Sequence, residues 1–95
     1  MTEINLIPAD DICRHHEVDF TFIISLKEAG LIAFEEVNQT SFIPENELQK
    51  LEKMIRLHEE LEINVAGIDA ISHLLERIEN MQEEIRVLKN NYRKI

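Results

Sequence analysis

The chain has 95 residues, enough for one small domain and too few for two independent cores. Its 19 Asp and Glu against 10 Lys and Arg leave a formal charge of -9, which argues against nucleic acid and anionic membranes, whose phosphates are met by Lys and Arg. A hydrophobic share of 44% argues against disorder, and two glycines with two prolines leave room for long helices but little for a many-stranded sheet.

Residues 1–7 alternate weakly between polar and apolar and predict an extended entry. Pro8 suits the first turn of a helix, and Asp10 and Asp11 favour the positive end of its dipole, so a short helix runs to about His15. A second short helix is predicted over 18–29. Asp19 can cap it, Phe20, Ile23, Ile24 and Leu26 give it apolar residues, and Gly30 can end it in the left-handed conformation. Two short strands follow, over 31–37 and 40–43, around a polar Asn38-Gln39 turn. Pro44 then opens a third helix, with Glu45 and Glu47 in its first turn. Leu48, Leu51, Ile55 and Leu61 continue it at helical spacing, and it ends near Glu62.

Asn64 can cap a fourth helix that reaches almost to the C-terminus. Its apolar residues fall into heptads, with Ile71, Ile78, Ile85 and Tyr92 at one position and Leu74, Met81, Leu88 and Ile95 at the other. Ile68 and Leu75 broaden the stripe where it begins, which predicts packing on the N-terminal half. Residues 76–95 leave no other element to cover their seam, and a second copy of the same helix is the simplest cover. Folding back, or docking on a different protein, are the alternatives. A homodimer is therefore expected through Ile71, Leu74, Ile78, Met81, Ile85, Leu88 and Tyr92. Glu84 and Lys89 could pair between parallel helices, while Arg77 and Gln82 leave the strand direction open.

Chemistry-bearing clusters are sparse. Cys13 is the sole cysteine, so no internal disulfide can form, and this fits a reducing compartment. No basic and apolar leader opens the chain and no apolar run spans a membrane, so a cytoplasmic location is expected. Cys13, His15 and His16 lie close together, but zinc needs three or four ligands at suitable spacing. Solvated helix-end histidines are the plainer reading. His58 and His73 stand isolated on long helices. No glycine-rich phosphate loop or nucleophile–base arrangement occurs. Glu35-Glu36 and Glu59-Glu60 read as solvated faces rather than acid–base pairs. Neither an enzyme nor a cofactor is expected.

The order helix, turn, helix, hairpin, helix, long heptad helix resembles the MerR family of winged helix-turn-helix proteins. Leu26-Lys27-Glu28-Ala29-Gly30-Leu31-Ile32 is similar to the end of that family's second helix and its entry into the wing. Within that superfamily the chain more closely resembles the chaperone modulators of CbpM type. The most specific segment is Ile55-Arg56-Leu57-His58-Glu59-Glu60-Leu61-Glu62-Ile63-Asn64-Val65-Ala66-Gly67-Ile68. The resemblance covers roughly residues 4–95. It implies a mainly α fold, with a winged helix-turn-helix head over 1–63 and a coiled-coil dimerisation helix over 64–95.

MerR regulators meet DNA with basic and aromatic residues on the second helix and wing. Here those segments read Phe22-Ile23-Ile24-Ser25-Leu26-Lys27 and Thr40-Ser41-Phe42-Ile43-Pro44. Residues 1–48 hold ten acids and two bases, giving -8, while residues 49–95 hold nine acids and eight bases, giving -1. The acidity thus belongs to the half laid out like a DNA reader. The resemblance implies binding to the J-domain of a DnaJ-like co-chaperone and inhibition of its action on a DnaK-type chaperone. A dimeric DNA-binding regulator of MerR type is the alternative, and a coiled-coil partner without a regulatory task is a third. Asp10, Asp11, Glu17, Asp19, Glu28, Glu35 and Glu36 are the expected contact acids, with Phe20 and Phe34 as apolar anchors.

Overall fold

The computed structural model describes residues 5–93. Eight elements follow one another: β1 (Leu6–Pro8), α1 (Ala9–His16), α2 (Phe20–Glu28), β2 (Glu35–Val37), β3 (Thr40–Pro44), a 3-10 turn (Glu45–Glu47), α3 (Leu48–Leu61) and α4 (Val65–Arg93). The architecture is the expected one, a mainly helical head with a small sheet and a long C-terminal helix.

Pro8 fixes the backbone just before α1 at φ -58, and Asp10 and Asp11 occupy its first turn. The helix ends on Glu17 in the left-handed region (φ 55), where Val18 N–H returns to the Cys13 carbonyl. Asp19 stands at the N-cap of α2, yet its side chain makes no capping hydrogen bond. Gly30 (φ 76) ends the second helix as its sequence position predicts, and Leu31 N–H closes onto the Leu26 carbonyl at 2.9 Å.

The sheet differs from a simple two-stranded hairpin. Residues 31–34 are not strand. Leu31 and Ile32 turn inward and are buried, so the first hairpin strand starts only at Glu35. Their hydrophobicity reports a loop folded into the core rather than a pleated edge. The turn itself is as predicted: Asn38 and Gln39 both adopt positive φ (51 and 65), the handedness that matches the twist of a two-residue hairpin. A third strand joins from the N-terminus, giving the antiparallel order β1-β3-β2, with Ile7 opposite Ile43 and Glu36 opposite Ser41. Asn5 Nδ2 donates to Glu45 Oε2 at 2.8 Å, and the Asn5 carbonyl accepts from Glu45 N–H at 2.8 Å, so β1 is held at the start of the 3-10 turn. Pro44 ends β3 instead of opening α3 directly.

The core draws on every layer: Ile23 and Leu26 of α2, Ile43 of β3, Leu51 of α3 and Ile68 of α4 are fully buried. Ile68 brings the first turn of α4 into the head. Leu75, expected to continue that packing, is exposed, and α4 is exposed from His73 to Tyr92.

The α3–α4 junction is tight. Asn64 Oδ1 accepts from Gly67 N–H at 2.9 Å and its carbonyl accepts from Ile68 N–H, as a helix cap should. A Cβ on Gly67 would lie 2.6 Å from Ile63 Cγ2 and 3.3 Å from Asn64 Oδ1. Alanine favours a helix by about 1 kcal/mol over glycine. Here, crowding against a stiff β-branched neighbour and disturbance of the cap outweigh that gain. Gly67→Ala is expected to destabilise the chain by about 1–3 kcal/mol, and a higher melting temperature would contradict the close approach.

Candidate functional site

The head carries α1 and α2 joined by the three residues Glu17, Val18 and Asp19, followed by the β2–β3 hairpin. In a helix-turn-helix, the second helix and the wing face the ligand. Here that surface is acidic. Asp10 and Asp11 are exposed on the first turn of α1, and Asp11 pairs with Arg14. Glu17 and Asp19 flank the turn, Glu28 is the last residue of α2, and Glu35 and Glu36 lie on β2; all are exposed. Glutamate in the left-handed region costs about 1–2 kcal/mol relative to glycine, so Glu17 places charge where the backbone alone would favour none.

The acids do not form one uniform cluster. Successive strand residues point to opposite faces, so Glu35 and Glu36 diverge. Glu36 Oε1 lies 3.8 Å from Lys27 Nζ and ties β2 to α2. Lys27 also sits 5.4 Å from the centre of the Phe34 ring. Between His15 and Gln49 there is no other Lys or Arg, against seven acids. The one base on the second helix is therefore already engaged by the wing. Phe34 packs half-buried against the core beneath it, so its ring serves the fold, whereas Phe20, at the start of α2, is 40% exposed.

The histidines and the cysteine occupy different settings. His16 Nε2 lies 3.4 Å from Glu52 Oε2 and links α1 to α3. His58 is not a solvated helix residue. It stacks on Phe22, with ring centres 4.1 Å apart, and its Nδ1 donates to the Ile63 carbonyl at 3.0 Å, at the α3–α4 junction. Spacing alone gave no sign of this, because the partner carbonyl lies beyond the helix end. The carbonyl of Asp69, and then its carboxylate, hold His73 above the ordinary imidazole value. Burial, followed by the charges of Asp10 and Asp19, pushes the Cys13 thiol up and away from the reactive thiolate. Among the described residues, no three His, Cys, Asp or Glu side chains come together in a way that could hold a metal ion, and no helix is long and apolar enough to cross a membrane.

Two helices around a short turn, a two-stranded wing and a following pair of helices define a winged helix-turn-helix head on a long helix. The family described as MerR HTH family regulatory protein matches residues 7–90, nearly the whole chain, and the protein belongs to that family. No curated protein and no solved structure gives a significant match.

Proposed function

We propose that this protein is a non-enzymatic chaperone modulator of CbpM type, acting in the cytoplasm as a homodimer. Its acidic head binds the J-domain of a DnaJ-like co-chaperone and inhibits that domain's stimulation of a DnaK-type chaperone. The observation that carries this reading is the charge of the helix-turn-helix face. Lys27, the one base on its second helix, is engaged by Glu36 and Phe34, Arg14 on the first helix is paired with Asp11, and exposed acids outnumber both. Such a surface repels a phosphate backbone and attracts a basic helix, while Phe20 offers an exposed apolar anchor.

A DNA-binding regulator is the second reading, favoured by the family match itself. Fold alone does not decide between them, because function resides in the residues displayed. Fluorescence anisotropy with a purified J-domain and with a labelled DNA duplex separates the two. The J-domain is expected to bind, with affinity falling as salt rises, and the duplex is expected to stay free even at low salt. Reversing Asp10, Glu28 and Glu35 to lysine is expected to weaken J-domain binding by about tenfold or more. Glu36 is left in place because it holds Lys27. Duplex binding without J-domain binding would overturn the proposal.

A further inference from the structure

The outer face of the small sheet is apolar, where a solvent-facing strand face is ordinarily polar. Register and strand alternation divide the three strands into two faces. Ile7 and Ile43 pair on the inner face, where Ile43 is fully buried, and Glu36 on that face reaches Lys27 of α2. All four helices join Ile43 there, through Ile12, Ile23, Leu51 and Ile68 of one buried cluster. Leu6, Pro8, Phe42 and Val37 therefore stand on the outer face, with Glu35 beside Phe42. Leu6, Pro8 and Phe42 are only half-buried, and Val37 is 45% exposed. A sheet with apolar residues on both faces is one that is covered on both.

The surroundings of this face carry one sign of charge. Residues 1–13 and 28–49, which supply all three strands and their turns, hold no Lys or Arg. Asp10 follows β1 by two residues, Glu35 lies on the face itself and Glu45 follows β3. Among the described residues none of these three acids forms an ion pair.

The dimensions select the shape of the cover. The two outer strands lie about 10 Å apart, and the five residues of β3 extend about 17 Å. A helix is about 10–12 Å across, so the face seats one helix over about three turns. The edges suit an added strand poorly, because β1 and β2 are three residues each. We infer that the outer face of the wing sheet receives a basic amphipathic helix of the partner. The apolar side of that helix covers Leu6, Phe42 and Val37, and its Lys and Arg residues meet Asp10, Glu35 and Glu45.

This inference rests on the J-domain reading above and places the apolar part of that contact on the sheet. Calorimetry of the full chain with a purified J-domain keeps the two apart. Val37→Lys and Phe42→Thr are each expected to weaken binding by about tenfold or more. Threonine suits a strand, and a thermal melt checks the fold of each variant. Asn80→Lys, exposed on α4 and outside the heptad seam, adds the same charge beyond the head. It is expected to bind within about twofold of the unaltered chain, because screening confines the effect of a distant charge. If Phe42→Thr lowers the melt, Val37→Lys, at an exposed position of the wing, decides alone. Equal binding by Val37→Lys and Asn80→Lys would overturn the docking and leave the proposed function standing. Dissociation of a dimer by Val37→Lys in sedimentation would assign the face to a second copy and overturn the docking as well. An unaltered chain that binds no J-domain would defeat the proposed function and the docking together.

Discussion

Replacing Ile68 with alanine is expected to destabilise the head by about 2–5 kcal/mol, the range for a fully buried isoleucine cut back to its Cβ. Ile68 is the one described residue of α4 buried in the head core, where it meets a cluster that includes Ile23, Leu26, Ile43 and Leu51. The cap at Asn64 and the close approach of Gly67 to Ile63 fix its position from one side. His58 fixes the junction from the other, through Phe22 and the Ile63 carbonyl. A rigid surround cannot collapse into the space left, so the cost belongs toward the upper end of the range. For a chain of about this length each kcal/mol shifts the melting temperature by about 4–8 °C, so a fall of at least about 8 °C is expected in a thermal melt. Glu79→Ala, further along the same helix, exposed and outside the heptad seam, is the control and should leave the melt nearly unchanged. Equal shifts for the two variants would show that Ile68 does not anchor the helix.

The sequence disclosed most of the path of the chain because its signals are local. Gly30 ends a helix, Asn38-Gln39 turns a hairpin and Asn64 caps a helix, each through its own backbone or nearest neighbours. Readings that depend on distant partners were less legible. The apolar run Leu31-Ile32 suits a strand, yet the core draws it in as loop, and β1 gains its partner β3 more than thirty residues away. His58 looked isolated because Phe22 lies on another helix. The acidity of the head could be counted directly, but its arrangement could not. That Lys27 is engaged by Glu36 and Phe34 depends on how the wing folds against α2. The turn at Glu17 had no sequence sign either, because a glutamate in the left-handed region runs against backbone preference.

Replacing Ile85 with aspartate is expected to dissociate the proposed dimer while leaving the head folded. Ile78, Met81, Ile85 and Leu88 are all exposed in the single chain and follow one another at heptad spacing, so the seam has no cover except from another molecule. A carboxylate buried there without a partner costs at least about 3 kcal/mol. Two-fold symmetry introduces two of them, and about 6 kcal/mol corresponds to about 10⁴-fold in the dissociation constant. Sedimentation is the measurement, and an unchanged dimer would place the seam elsewhere. Once separated, the exposed part of α4 is about twenty residues of lone helix, which is marginal in water, so helicity should fall together with dimer content. The J-domain contact should respond differently. Its acids lie in residues 1–48, before α4 begins, so the variant monomer should bind a single J-domain with the affinity of one wild-type head. Only the avidity of a two-headed protein toward an immobilised J-domain should disappear. A monomer that loses single-site binding as well would mean that the second copy contributes directly to the partner surface.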